Sequence, residues 1–194
     1  VGTTYCQIFA VDEIDLDRLD AAWGKVQKRH GMMRASVEED GTQSIAPSSK
    51  IGHIERAECA NSSEAKQQLE EIKRTVFALA KPPLHRVVSI SWHEESGKQT
   101  RLVFCFDYTV LDALSVMTVL AELAELYENP GADLPGIGLT FRDFVVGHRR
   151  DGREVEEAEG YWRSRLPELP PAPQLPLAAD PSTVGEGRFE RLWR

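Results

Sequence analysis

At 194 residues, with 41% hydrophobic and 28% charged residues, the chain has the length and balance of one globular domain with its own core. A formal net charge of −8 argues against a surface for nucleic acid phosphates, and no basic stripe opposes that reading. No apolar run approaches the ~18 residues of a membrane span. No signal peptide is evident, so a cytoplasmic location without membrane contact is expected.

Residues 5–11 (Tyr-Cys-Gln-Ile-Phe-Ala-Val) read as a first strand. Asp15 then opens a helix on which Leu16, Leu19, Trp23 and Val26 recur at helical spacing, and Gly31 is its expected stop. Residues 33–37 and 42–45 flank Glu39-Asp40-Gly41 as a hairpin. Asn61-Ser62-Ser63-Glu64 resembles a capping box and starts a second helix, which is predicted to reach about residue 76 with a solvated charged face. Residues 84–92 and 100–106 form a second hairpin around Ser96-Gly97.

A long helix over residues 113–127 stops before Asn129-Pro130-Gly131. Shorter helices are predicted over 140–149 and 154–166. The proline-rich segment 167–181 is expected to be extended. This order argues an α+β sandwich in which helices cover a mostly antiparallel sheet.

Cys6, Cys59 and Cys105 are odd in number and widely spaced, and Cys105, inside an apolar strand, is expected to be a buried reduced thiol. His30, His53, His85, His93 and His148 show no metal-ligand spacing. There is no glycine-rich phosphate loop and no Gly-x-Ser-x-Gly elbow. No metal and no directly bound cofactor are therefore expected.

The most informative segment is Asp107-Tyr108-Thr109-Val110-Leu111-Asp112-Ala113-Leu114-Ser115. It lies where a buried strand hands over to the long helix, a place where carboxylates can meet substrate and where a helix N-terminus favours negative charge. The same residues also fit a plain structural role. Asp112 can simply cap the helix, and Asp107 can end the strand as a turn residue.

The pattern Asp-x-x-x-x-Asp-x-x-Ser in this setting resembles the signature of heterocyclisation domains of nonribosomal peptide synthetases. These belong to the condensation superfamily, whose ordinary members carry His-His-x-x-x-Asp-Gly here. Aligned on Asp112, the first His falls on Asp107, the second on Tyr108 and the Gly on Ala113, so the usual catalytic histidine is absent. Leu169-Pro170-Pro171-Ala172-Pro173-Gln174-Leu175-Pro176-Leu177, followed by Phe189-Glu190-Arg191, resembles a second motif of that family. Arg29-His30-Gly31-Met32-Met33-Arg34, Thr140-Phe141-Arg142-Asp143-Phe144 and Tyr161-Trp162 occur in the order the resemblance requires, with Met33 in place of a leucine.

The resemblance implies one lobe of a chloramphenicol-acetyltransferase-like fold, a two-layer α/β sandwich. On that comparison residues 1–194 are the amino-terminal lobe, cut at both ends, and the fragment alone is expected to be inactive. The implied reaction joins a carrier-bound acyl thioester to Cys, Ser or Thr and then closes a thiazoline or oxazoline ring with loss of water. Its substrates ride on phosphopantetheine arms, so the implied partners are peptidyl or aryl carrier domains and the missing carboxy-terminal lobe.

The residues implied as catalytic are Asp107, Asp112 and Ser115. Asp107, with an ordinary carboxyl pKa near ~4, would be ionised and a poor acid. It would steer the nucleophile or shape the tunnel floor. Asp112 is implied to pair bidentately with Arg34, pinning the loop. Tyr108 is a poor base, and its side chain has the core as an alternative place. Two competing functions remain open: a divergent acyltransferase that makes no ring, and a non-catalytic module that docks carrier proteins.

Overall fold

The computed structural model describes residues 3–147 and 152–171, together with 173, 176, 180 and 183. The chain divides into two units, Val1–Gly147 and His148–Arg194. The first holds strands β1 (Thr4–Val11), β2 (Ala35–Val37), β3 (Gln43–Ile45), β4 (Glu55–Glu58), β5 (His85–Glu94) and β6 (Gly97–Asp107). Its helices are α1 (Leu16–Arg29), α2 (Ser62–Ile72), α3 (Ala113–Glu128) and α4 (Phe141–Gly147). The second unit holds α5 (Gly152–Arg165) and a 3-10 turn at Leu166–Glu168. Most of the predicted extended segment 167–181, and Phe189-Glu190-Arg191, lie outside the described residues.

The main sheet has the order β1-β6-β5-β4. The β1–β6 and β6–β5 pairings are antiparallel, whereas β4 joins β5 in parallel through α2. The period-2 alternation of β6 divides its side chains between two cores. Leu102, Phe104 and Phe106 face α1 and α3, and pack with Trp23, Val26, Val116, Val119 and Leu123. Val103 and Cys105 face the opposite way and pack with Ala65 and Ile72 of α2. Helices therefore cover the sheet on both faces, α1 and α3 on one and α2 on the other, in keeping with the expected α+β sandwich.

The predicted caps are in place. Asp15 accepts from the N–H groups of Asp17 and Arg18, both at 3.0 Å, and Asn61 accepts from Ser63 and Glu64 at 3.0 Å. Glu64 reaches back to the N–H of Ala60 at 2.7 Å, a one-residue variant of the capping box. Gly41 and Gly97 turn the two hairpins with φ of 83° and 115°, a region open to glycine without a Cβ clash.

Helix α1 ends at Arg29, just before the expected stop at Gly31, which starts a 3-10 turn, Gly31–Arg34, without a left-handed backbone. The helix end is satisfied instead by the Arg34 guanidinium, which donates to the carbonyls of Gln27, Lys28 (3.0 Å) and His30 (3.4 Å). Helix α2 ends at Ile72 rather than near residue 76, because both the N–H (2.9 Å) and the hydroxyl (2.6 Å) of Thr75 close onto the Ile72 carbonyl. Cys105 is not a free thiol but forms a disulfide with Cys6. The two face each other across β1 and β6, with Cα atoms 4.2 Å apart, a register that sequence spacing does not reveal.

A polar clamp fixes α3 against α1. Arg29 Nε donates to both carboxylate oxygens of Glu122 at 3.1 and 3.0 Å, and His30 Nε2 lies 2.6 Å from Glu122 Oε2. The side chains of Arg29, His30 and Glu122 are mostly shielded from water. Truncating Glu122 strands a guanidinium at a helix interface, so Glu122→Ala should lower the unfolding free energy by about 2 kcal/mol. Urea denaturation checks this, and a loss within experimental error would remove the clamp from the account of how α3 is held.

Candidate active site

Strand β6 runs out at Asp107, whose N–H still bonds the Leu84 carbonyl at 2.9 Å. Its own carbonyl takes the N–H of Val110 at 3.2 Å and closes a turn. The Asp107 side chain is 1% exposed. Its Oδ1 accepts from the Thr3 hydroxyl and from the Thr109 N–H, both at 2.9 Å. Burial pushes this carboxyl up, but the hydrogen bonds from Thr109 and Thr3 outweigh burial and hold it below the usual carboxylate range. Asp107 is thus an ionised, enclosed group that fixes the turn.

Tyr108 takes the other direction. Its N–H bonds the Thr3 carbonyl at 3.1 Å, and its side chain is 43% exposed, so the core alternative is set aside. The ring stacks on Tyr5, with centroids 5.5 Å apart and planes 12° from parallel. Val110 and Leu111 then dip into the core on the α1/α3 side, which anchors the far end of the loop.

Asp112 is the N-cap of α3: its Oδ1 accepts from the Ser115 N–H at 2.8 Å. The capping bonds from the Ser115 side chain and backbone lower its pKa, and the carboxylate is exposed at the positive end of the helix. Ser115, half-buried, is held in the first turn by that contact. The expected pairing of Arg34 with Asp112 is not formed. The Arg34 donors reach the carbonyls that end α1 and, through Nε at 3.0 Å, the Ala46 carbonyl, while Asp112 is engaged by its own helix. The helix-end carbonyls lie only a few residues from Arg34 in the chain, which is why they win.

The structure therefore joins Asp112 to Ser115, and Asp107 to Tyr108 through their shared turn, but leaves Arg34 in a separate network. Thr3, Thr109 and Tyr5 are additions that motif reading misses. Tyr5 alone had a readable signal, because it stands opposite Phe106, two residues before Tyr108. Both carboxylates are held ionised, so the loop can accept protons or orient N–H groups but cannot donate a proton near neutral pH.

Asp112→Asn preserves the cap and removes the charge. The expected result is an unchanged melting temperature, with turnover of the complete domain lowered at least about ten-fold. Equal activity in Asp112→Asn and wild type would reduce Asp112 to a cap. No group of three or more His, Cys, Asp or Glu among the described residues is arranged to hold a metal ion.

Comparison with known proteins places this geometry in context. The sequence matches the Condensation domain family over residues 4–191. It is 31% identical over 198 residues to phenyloxazoline synthase MbtB of Mycolicibacterium paratuberculosis, covering 93% of this chain and 16% of that protein. It is 30% identical over 196 residues to pyochelin synthetase PchF of Pseudomonas aeruginosa, covering 94% of this chain and 10% of that one. Among solved structures, the EpoB cyclization-docking bidomain of a nonribosomal peptide synthetase from Sorangium cellulosum superposes with a TM-score of 0.83 at 31% identity. That match covers 94% of this chain and 37% of the solved one. The chain thus spans only a small part of the relatives it matches.

Proposed function

The chain belongs to the condensation-domain family, and on that premise we propose that it is the amino-terminal lobe of a heterocyclisation domain in a nonribosomal peptide synthetase, acting in the cytoplasm. One observation carries the reading. The loop from β6 to α3 carries Asp107, Asp112 and Ser115, with Asp107 and Tyr108 standing where plain condensation enzymes have a histidine pair, in a chain 31% identical to a cyclization domain over 94% of its length.

In the proposed reaction the amine of a carrier-bound Cys, Ser or Thr attacks the thioester carbonyl of the donor, and the donor's thiolate leaves with the amine proton. The side-chain thiol or hydroxyl then adds to the new amide carbonyl, and loss of that oxygen as water leaves the ring with its C=N bond. Both substrates are tethered to phosphopantetheine, so no dissociable cofactor is required, and holding them together supplies much of the rate.

Within this scheme Asp107 is a positioning residue, since its enclosed carboxylate holds the turn. Asp112 and Ser115 stand at the accessible end of α3 and face the substrates, with Asp112 orienting the incoming N–H. Neither carboxylate is a proton donor at neutral pH. The acid that releases water is therefore proposed to come from the remainder of the domain, and the fragment alone is proposed to be inactive.

The test uses the complete domain with loaded donor and acceptor carriers and reads the acceptor arm by intact mass. The expected product is lighter than the linear amide by one water. A linear amide from wild type would overturn ring closure and leave a plain acyltransferase, and no product with intact carrier binding would favour a docking module.

A further inference from the structure

We infer that Tyr108, backed by Tyr5, is a stacking platform that selects donors carrying a planar aromatic acyl group; this rests on the proposed reading of the loop as a site for carrier-bound thioesters. Phe106, near the end of β6, is 0% exposed, whereas Tyr108, in the turn just past the strand, is 43% exposed, because the cover of α1 and α3 ends between them. The Tyr5 ring occupies one side of the Tyr108 ring in near-parallel contact and leaves the rest to solvent.

The platform is held rigid before any ligand arrives. Tyr5 donates its hydroxyl to Gln7, the Tyr108 N–H is tied to Thr3, and the turn is locked by Asp107. A preordered aromatic surface binds a flat group with little loss of side-chain entropy. Past the loop, the opening turns of α3 expose Leu114 at 70% and Met117 at 67%, large apolar groups with no packing role in this unit.

A phenol face also attracts cations. The cation on offer in this reaction would be a protonated acceptor amine, which has no lone pair for attack on a thioester. The donor acyl group is therefore the occupant assigned here.

The test compares benzoyl and hexanoyl donors on the donor carrier of the complete domain, in wild type, Tyr108→Ala, Tyr108→Phe and Tyr5→Ala. Tyr108→Ala is expected to lower the benzoyl-to-hexanoyl ratio of kcat/KM by about five-fold, the range of one aromatic stack. Tyr108→Phe should keep the ratio, and Tyr5→Ala should lower it in part. An unchanged ratio in Tyr108→Ala, or an equal loss in Tyr108→Phe, overturns the platform.

The ratio is read whether the product is a ring or a linear amide, so failure of ring closure is seen separately. If no product forms, dissociation constants for the unreactive benzoyl and hexanoyl pantetheine amides take its place. Equal constants for the two in wild type would then overturn the proposal.

Discussion

Asp107→Ala is expected to lower the unfolding free energy by about 3 kcal/mol, because two donors lose a charged acceptor inside a closed site. The Thr3 hydroxyl and the Thr109 N–H both end on Asp107 Oδ1, and the side chain is shielded from water. Asp107→Asn retains one carbonyl oxygen and should lose less. The pH dependence follows from the lowered pKa. A carboxyl held below its unfolded value stabilises the fold above that value, and the contribution fades as pH falls through the folded one. Wild type and Asp107→Ala should therefore converge in stability well below pH ~4. Denaturant titrations of both proteins across that range check it; a gap that stayed constant to the most acid pH would mean the charge is not what holds the turn.

Acid should also destabilise the protein through His85, and at a higher pH. This side chain is 4% exposed and lies edge-on to Trp23 at 5.1 Å. Neither ring nitrogen finds a hydrogen-bond partner among the described residues. Burial lowers its pKa from 6.5 to about 4, and the nearby Met33 backbone, which falls short of a well-formed hydrogen bond, offsets only part of that. The unfolded chain thus takes up the proton first. Stability is whole above pH 6.5, falls as pH drops toward 4, and loses about 3 kcal/mol in total once both states are protonated. His85→Leu removes the titrating group along with two unpaired nitrogens. It should flatten the stability curve between those pH values and stay within about 1 kcal/mol of wild type at pH 7. If His85→Leu kept the full acid slope, the loss would belong to other groups.

Much of this architecture was legible because local chemistry and tertiary packing agree. Asp15, Asn61 and Asp112 all cap the helices predicted to follow them, and Gly41 and Gly97 turn the predicted hairpins. Strand β4 was missed because Glu55-Arg56-Ala57-Glu58 carries no apolar alternation; it exists by parallel pairing with Val88–Ser91 of β5. Its charged side chains suit an edge strand. His85 was undervalued although the alternation of β5 sets it on the same face as Val87, which packs in the core beside Trp23.

The candidate loop was legible as the junction of a strand and a helix, and the surroundings of its side chains only in part. Spacing located Asp107, Asp112 and Ser115, but it could not tell an enclosed carboxylate from an exposed one. Nor could it foresee that Arg34 would close the end of α1. Both outcomes depend on which partners the fold brings within reach.

The outermost pairing of the main sheet has a consequence for the order of events during synthesis. Strand β1 leaves the ribosome well before β6, its partner in the sheet among the described residues, and the facing residues Cys6 and Cys105 are 99 positions apart. At translation rates of ~5–20 residues per second, β1 waits roughly 5–20 s before β6 exists. The β5–β6 hairpin needs no such delay, since its strands are joined directly through the turn at Gly97. The sheet therefore grows from its middle outward, and β1, whose Tyr5 stacks on Tyr108 of the candidate loop, is among the last pieces to settle.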